Sequence, residues 1–349
     1  MPIVQADRLS RISAALLKAA GASDEEAGAV AVGCVNANLA GHDSHGVIAI
    51  PTYIDRVKAG HIVPGAPWTV MQETPTSTVI DGNWGFGYVV TDRAMRYTID
   101  KAKNQMVAAA TVYRQSHIGR LASYPLMAAR EGMIAMITAD SGRSAKAVAP
   151  FGGAKARLGT NPICFAIPSN LEGPLFFDMA TSAAAAGKIN VATARGEQVP
   201  AGWLIDADGK PSTDPRVLRQ GGALLPVGGS EGYKGYGLAT IVEILSGLLT
   251  GLGYGVEPTG RHNDGCFIAV FNVSAFRDLD TFKQEVTEFA QYLKATPPAQ
   301  GFTEVLYPGE IEHKREQDRH KNGIPVEDAT WKKLQDLAQG FGLTEKLGL

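Results

Sequence analysis

Two histidines, a carboxylate and a hydroxyl fall within the short run His42-Asp43-Ser44-His45, closed by Gly46. An imidazole titrates near neutrality, so either ring can give or take a proton at physiological pH. A neighbouring serine or aspartate can fix the ring's tautomer. The competing reading is a His45 that merely satisfies a backbone carbonyl in a turn. The spacing of His42 and His45 also suits two metal ligands, but a zinc site needs a third. His61, His117 and His262 are available, yet no motif ties any of them in, so no metal site is expected.

A second cluster, Ser116-His117-Ile118-Gly119-Arg120, follows a strand-like run and leads into a helical one. Such a junction points side chains into a cleft and leaves helix N–H groups free to meet an anion. Arg143 and Lys146 come soon after an apolar run that ends at Ala139. Cations at strand ends suit a carboxylate substrate or a cofactor phosphate, and equally a solvated surface. Gly232-Tyr233-Lys234-Gly235-Tyr236-Gly237 opens an apolar stretch. Glycines there let a ligand approach the backbone, and Lys234 adds charge to the positive helix end. A flexible turn is the plainer explanation.

Two motifs are missing where the chemistry would need them. WGFG at 84–87 and GLGYG at 251–255 are the richest glycine runs, and both lack the third glycine of G-x-G-x-x-G. That argues against a Rossmann-type dinucleotide fold. Nor does a G-x-S-x-G surround Ser44. A hydrolase built on Ser44 and His45 would therefore lack a nucleophile elbow, and it predicts labelling by a fluorophosphonate probe.

The elements that must position these residues follow from periodicity and caps. Asp7 can cap a first helix with Leu9, Ile12 and Leu16 on one face, stopped by Gly21. Ser23 and Glu26 have capping-box spacing, and a second helix runs to Ala40 before Gly41. The His42–Gly46 loop comes next, then a third helix from Pro51 to about Gly60. Trp68 to about Asp81 reads as short strands, 81–87 as a glycine-rich turn, and Thr91 to Gln105 as a helix. Strand-like runs recur at 106–112, 133–139, 163–168 and 174–180, with a helix at about 120–130 between the first two. Residues 205–211 read as a hairpin turned by Asp208-Gly209. Gly235–Gly251 is an apolar helix, 266–272 a buried strand, Leu279–Lys294 an amphipathic helix and 326–339 a last helix. The ends are thus helical and the middle sheet-rich. We expect residues 1–75 with 260–349 to form a helical, dimerising domain, and 76–259 a cofactor-binding sheet domain.

Composition narrows the class. The net charge of −2 gives no reason to expect nucleic acid or an anionic membrane as partner. No apolar run follows a basic N-terminus, and none is long enough to span a membrane. Cys34, Cys164 and Cys266 are sparse and in no C-x-x-C pair, which reads as reduced core thiols in a cytoplasm.

Taken together the motifs resemble the malate/L-lactate dehydrogenase family of NAD(P)-dependent oxidoreductases, over about residues 6 to 335. The pieces stand in family order: GHDSHGV (41–47), SHIG (116–119), VAPFGG (148–153), LGTNP (158–162), FDMATS (177–182), GK (187–188), DGKPSTDP (208–215), GYKGYGLA (232–239) and YPGE (307–310). The resemblance implies an α/β (α+β) fold with a largely antiparallel, non-Rossmann cofactor sheet, which explains the missing fingerprint. It implies a homodimer, an active site near the subunit interface and a small carboxylate substrate. His45 would donate the proton to the substrate oxygen, with Ser44 hydrogen-bonded to it and His117 lining the same pocket as second candidate. His117, Ile118, Gly119, Arg120 and Leu121 would face the nicotinamide cofactor, as would Asp178, Met179, Ala180, Lys234, Pro308, Gly309 and Glu310. Tyr53, Thr160 and Lys188 are expected on the substrate side.

The sequence departs from the family pattern in two informative places. Members usually carry an arginine four residues after the loop histidine, where it can pair with the substrate carboxylate, and this chain has Ala49. Arg120, Arg143 or Lys146 would have to substitute. Lys188 stands where imine-reducing members tend to carry aspartate, which favours a 2-hydroxy acid over a cyclic imine-2-carboxylate. Lys314 and Arg315 could meet a cofactor 2′-phosphate, but Glu310 and Glu312 would repel it, so the balance favours NAD, with NADP as the alternative.

Overall fold

The computed structural model describes residues 1–140, 145–256 and 259–349. A short strand, β1 (Ile3–Val4), leads into α1 (Ala6–Ala19). Gln5, not Asp7, occupies the N-cap. Asp7 lies in the first turn, where its charge complements the helix dipole. In α2 (Asp24–Leu39) the capping box forms as the spacing predicts. Ser23 Oγ accepts from Glu26 N at 3.2 Å, and Glu26 Oε2 accepts from Ser23 N at 2.9 Å. Two single 3-10 turns, Asp43–His45 and Val47–Ala49, connect to α3 (Ile50–Lys58), with Pro51 in its first turn.

β2 (Thr69–Glu73), β3 (Ser77–Gly85), α4 (Gly87–Gln105) and β4 (Val107–Gln115) follow. Then come α5 (Pro125–Arg130), β5 (Met133–Asp140), β6 (Ile163–Ile167), β7 (Leu175–Met179) and α6 (Ala186–Arg195). Next are β8 (Leu204–Ile205), β9 (Pro211–Ser212), β10 (Ala223–Leu224) and α7 (Gly232–Glu243). The chain ends with β11 (Gly265–Asn272), α8 (Leu279–Lys294), α9 (Glu310–Asn322), β12 (Ile324–Pro325), α10 (Asp328–Gly340) and α11 (Thr344–Leu347).

The segment 81–87 is not a free turn. β3 continues to Gly85 with an irregular register, and Asn83 and Trp84 take positive φ of 46° and 68°. α4 then starts at Gly87, four residues before the spacing predicts. Val89 and Val90 are poor helix formers, but both are buried, and packing overrides that weak preference. A Cβ on Gly87 would strike the backbone of Ser116 and His117, so glycine is what lets α4 begin against the His117 segment.

Seven strands form the main sheet in the order β2-β3-β4-β11-β5-β6-β7. Every neighbouring pair is antiparallel except β3 with β4, which bears out the largely antiparallel α/β expectation. β11 lies beyond the boundary expected near residue 260, yet it pairs with both β4 and β5 in the middle of the sheet. Its run of buried residues suits a strand covered on both faces. α4 and α5 cover one face, where Met95, Ile99 and Leu126 pack with Ala110, Ile137 and Ile268. α7 covers the other and widens after Glu243 into a π-helical turn, Ile244–Leu248, short of the helix expected to Gly251. Ser246 Oγ there meets Thr138 Oγ1 of β5 at 2.8 Å.

A second core joins Leu9, Leu16, Cys34 and Ile54 with Ile324 and Leu334, so the two ends of the chain pack together. β1 and β12 pair beside it. The hairpin at 205–211 forms as expected, with Gly209 at φ 82°.

Candidate active site

His45 stands on the bend between α2 and α3, and side chains from α2 and α9 fix that bend. Asn38, in the last turn of α2, donates to Asp43 Oδ1 at 2.6 Å and accepts the Val47 N–H at 2.9 Å. From α9, Arg319 grips both Asp43 oxygens, at 2.7 and 3.1 Å. Asp43 therefore anchors the loop rather than the imidazole. Ser44 Oγ lies 3.0 Å from His45 Nδ1. A Cβ on Gly187, in the first turn of α6, would come within 2.7 Å of Ser44 Cβ, so α6 closes against Ser44. Lys188, the next residue, is exposed.

The rings of His45 and His117 stack, with centroids 5.7 Å apart and planes 19° apart. His117 Nδ1 is 2.6 Å from Tyr53 Oη, which sits 3.4 Å from Tyr88 Oη, itself 3.5 Å from Cys34 Sγ. His262 meets His117 edge-on at 5.8 Å. His262 Nε2 is 2.6 Å from Asp264 Oδ1, and Asp264 Oδ2 accepts the Ile118 N–H at 3.0 Å.

Burial sets the titration of this group. It lowers the His117 pKa to about 3, with Asp264 opposing it only in part. It lowers His45 as well, against the attraction of Asp178. Both stacked rings are therefore uncharged at neutral pH. Burial alone would raise Asp264, but His262, His117 and the Ile118 N–H outweigh it and keep this carboxylate below its usual range. Cys34 is pushed up to about 12 by burial, so it is a packing thiol.

Three of the segments expected at the cofactor meet beside His45. Asp178 Oδ2, on β7, accepts the Ala122 N–H at 2.9 Å, tying β7 to the 117–121 segment. The Arg120 guanidinium lies over the Phe176 ring, 5.0 Å from its centroid. Phe176 in turn donates its N–H to the Pro308 carbonyl at 3.2 Å, and Gly309, at φ 97°, packs against Phe176. His45 responds to the charges of both Asp178 and Arg120. Leu121 and Ile118 are buried, whereas Met179 and Ala180 are half-buried at the end of β7. The Thr160 carbonyl accepts from Thr181 N at 2.9 Å and Thr181 Oγ1 at 3.1 Å, which places Thr160 beside the 178–180 segment.

Other expectations are corrected. Tyr53 is 2% exposed and commits its hydroxyl to His117, so it supports that ring from behind instead of facing a substrate. The Lys146 side chain is 5% exposed and lies 3.3 Å from Glu243 and 3.6 Å from Asp140. A buried ammonium persists only where carboxylates neutralise it, and this one is already matched. The Glu310 carboxylate is held by Lys294 and by the Tyr307 N–H at 3.1 Å, so it fastens α9 to α8. Lys234 stands apart. It pairs with Glu231 at 3.0 Å, and its neighbour Tyr233 packs on Phe151, which borders a shallow hollow of about 150 Å³ lined by Gly152, Pro226 and Gly232. Arg143 lies outside the described residues.

Sequence reasoning missed Asn38, Arg319, Asp264 and Glu312, the last of which meets His42 Nε2 at 3.4 Å. Only His262-x-Asp264, just before an apolar strand, is a local signal. The others act across distant elements.

The chain matches the model of the family described as malate/L-lactate dehydrogenase over residues 4–335. It belongs to the malate/L-lactate dehydrogenase family. An L-sulfolactate dehydrogenase from Methanothermobacter thermautotrophicus is 36% identical over 330 residues, covering 93% of each chain. The structure of malate dehydrogenase from Entamoeba histolytica superposes with a TM-score of 0.93 at 32% identity, covering 98% of both chains. That of a delta1-piperideine-2-carboxylate reductase from Pseudomonas syringae gives 0.84 at 29% identity, covering 97% of this chain and 100% of the other. As a member of the malate/L-lactate dehydrogenase family, the protein is an oxidoreductase acting on a hydroxy acid, and the serine-hydrolase reading has no support.

Proposed function

We propose that the protein moves hydride between a nicotinamide dinucleotide and C2 of a small 2-hydroxy or 2-oxo acid, with His45 transferring the proton. One observation carries this reading: the two stacked imidazoles have unlike surroundings. His117 commits Nδ1 to Tyr53 and holds a pKa of about 3, so it is no proton donor near neutrality. His45 has Nδ1 against Ser44, which leaves Nε2 for a substrate oxygen.

With Ser44 Oγ accepting the Nδ1 proton, His45 Nε2 takes the substrate's hydroxyl proton in the oxidative direction. In the reductive direction Nε2 first takes up a proton from solvent and then gives it to the carbonyl oxygen as negative charge grows there. When bound, the nicotinamide ring supplies or receives the hydride. The residues present fit such a group. The stacked His45 and His117 rings are uncharged, and Gly119 and Gly309, both at positive φ, let the 117–121 and 308–310 turns close on Tyr88 and on Phe176. The main chain of 117–121 and the 178–180 segment, with Pro308 and Gly309, would hold the cofactor, with Lys234 further out and Thr160 and Lys188 on the substrate side.

NAD is the preferred cofactor. Lys314, available in principle to a 2′-phosphate, is already paired with Glu304 at 2.6 Å and Glu310 at 3.5 Å. A cyclic imine-2-carboxylate is the second reading for the substrate, drawn from the Pseudomonas neighbour. A cytoplasmic homodimer fits the three free buried cysteines and the exposed apolar side chains of Ile241, Ile244 and Leu248, one turn apart along α7 and its π-helical extension. Among the described residues no helix is long and apolar enough to cross a membrane. A panel of 2-oxo and 2-imino acids with NADH and NADPH, followed by nucleotide absorbance, tests the reading. Turnover of none of them would reject it.

A further inference from the structure

Arg120 is a buried cation with no ion-pair partner among the described residues, although its charge helps to lower the Glu312 pKa. The residue is 8% exposed, and its Nε has no hydrogen-bond partner. Among the described residues no carboxylate lies within ion-pair distance of its guanidinium, whose one ring contact is the face of Phe176 at 5.0 Å. A cation–π contact and a more distant carboxylate offset the loss of hydration only in part, so the guanidinium keeps hydrogen-bonding capacity for an anion. Lys146, also buried, shows the contrast, because it holds two carboxylates of its own.

The other cations of the site are less suited. Arg56 acts on His117 rather than His45, and Lys188 is exposed. Ala49 leaves the His45 loop itself without a charge at that turn. Arg120 is close enough to His45 for its charge to act on that ring, and it is joined through Phe176 to Pro308 and adjacent in chain to the Ala122–Asp178 bond.

We propose that the Arg120 guanidinium grips the C1 carboxylate of the substrate. The planar fork matches two carboxylate oxygens side by side, which a lysine cannot do. This rests on the hydride-transfer reading above and narrows it: substrates must carry a carboxylate next to the reacting carbon. A phosphate oxygen of the dinucleotide is the other anion that could complete the same cation, and the test separates the two.

Wild-type protein, an Arg120→Met variant and an Arg120→Lys variant are titrated with NADH by fluorescence. They are then titrated with oxamate, a 2-oxo acid mimic, by calorimetry on nucleotide-saturated protein. The expected result is a rise in the oxamate dissociation constant of roughly 100-fold for Met and roughly 10-fold for Lys, with NADH affinity within about twofold of wild type. Unchanged oxamate affinity overturns the proposal. So does a loss of NADH affinity as large as the loss for oxamate, which would assign the arginine to the cofactor. If the Met variant does not fold, the Lys variant decides by the same two readouts. If wild-type protein binds neither NADH nor NADPH, the dehydrogenase reading fails on its own, and oxamate binding to the nucleotide-free wild type and Lys variant still decides the arginine.

Discussion

His45 and His117 are the same residue type, ring against ring, and yet chemically unlike. The difference lies in what each Nδ1 touches, a surface serine in one case and a buried tyrosine in the other. Replacing His45 by Asn should lower kcat by roughly 100- to 10,000-fold while leaving the melting temperature in place. Full activity in that variant would remove His45 from the mechanism. His117 has a second signature. Its pKa falls from the ordinary 6.5 to about 3 in the folded chain, so between those values the unfolded chain binds a proton that the folded one refuses. Stability is therefore lost as pH falls through that window. Melting temperature should drop less steeply on acidification in a His117→Gln variant than in wild type, and equal slopes would show that the ring is not the cause. The loop histidines were legible in sequence because they are clustered. Tyr53 and Lys146 were misplaced because residue type alone does not say that a hydroxyl or an ammonium is already engaged in the interior.

At the level of elements, α9 holds the His45 loop. Its sequence, EIEHKREQDRHKN, carries no apolar stripe, so periodicity gives no sign of a helix there. Long-range contacts secure it instead: Arg319 on Asp43 and the Asn38 carbonyl, Glu310 on Lys294 and Glu312 on His42. By contrast the start of α2 was readable from Ser23 and Glu26 alone, because a capping box is local chemistry. An Arg319→Gln variant releases Asp43 without touching His45. It should lower kcat by up to about 100-fold with little change in nucleotide affinity, since a small displacement of the imidazole is enough to weaken proton transfer. Unaltered kcat would mean that Asn38 suffices to hold the bend.

For the whole molecule, the sequence showed strands but not their order. Each apolar run from 106 to 180 became part of the sheet, whereas nothing in the spacing places β11 between β4 and β5. The exposed side chains of Ile244 and Leu248 set the prediction at this scale. Changing both to Glu should shift sedimentation from dimer to monomer and reduce activity with it. A variant that stays dimeric would move the interface elsewhere.

The central place of β11 also bears on how the chain is made. Residues 265–272 leave the ribosome long after the two strands they must join. Until then β4 and β5 each lack the partner strand that β11 provides in the finished sheet. A nascent chain released before residue 265 cannot supply that partner from within. It will take a strand from another copy, so truncated products of this gene should aggregate instead of persisting as soluble fragments.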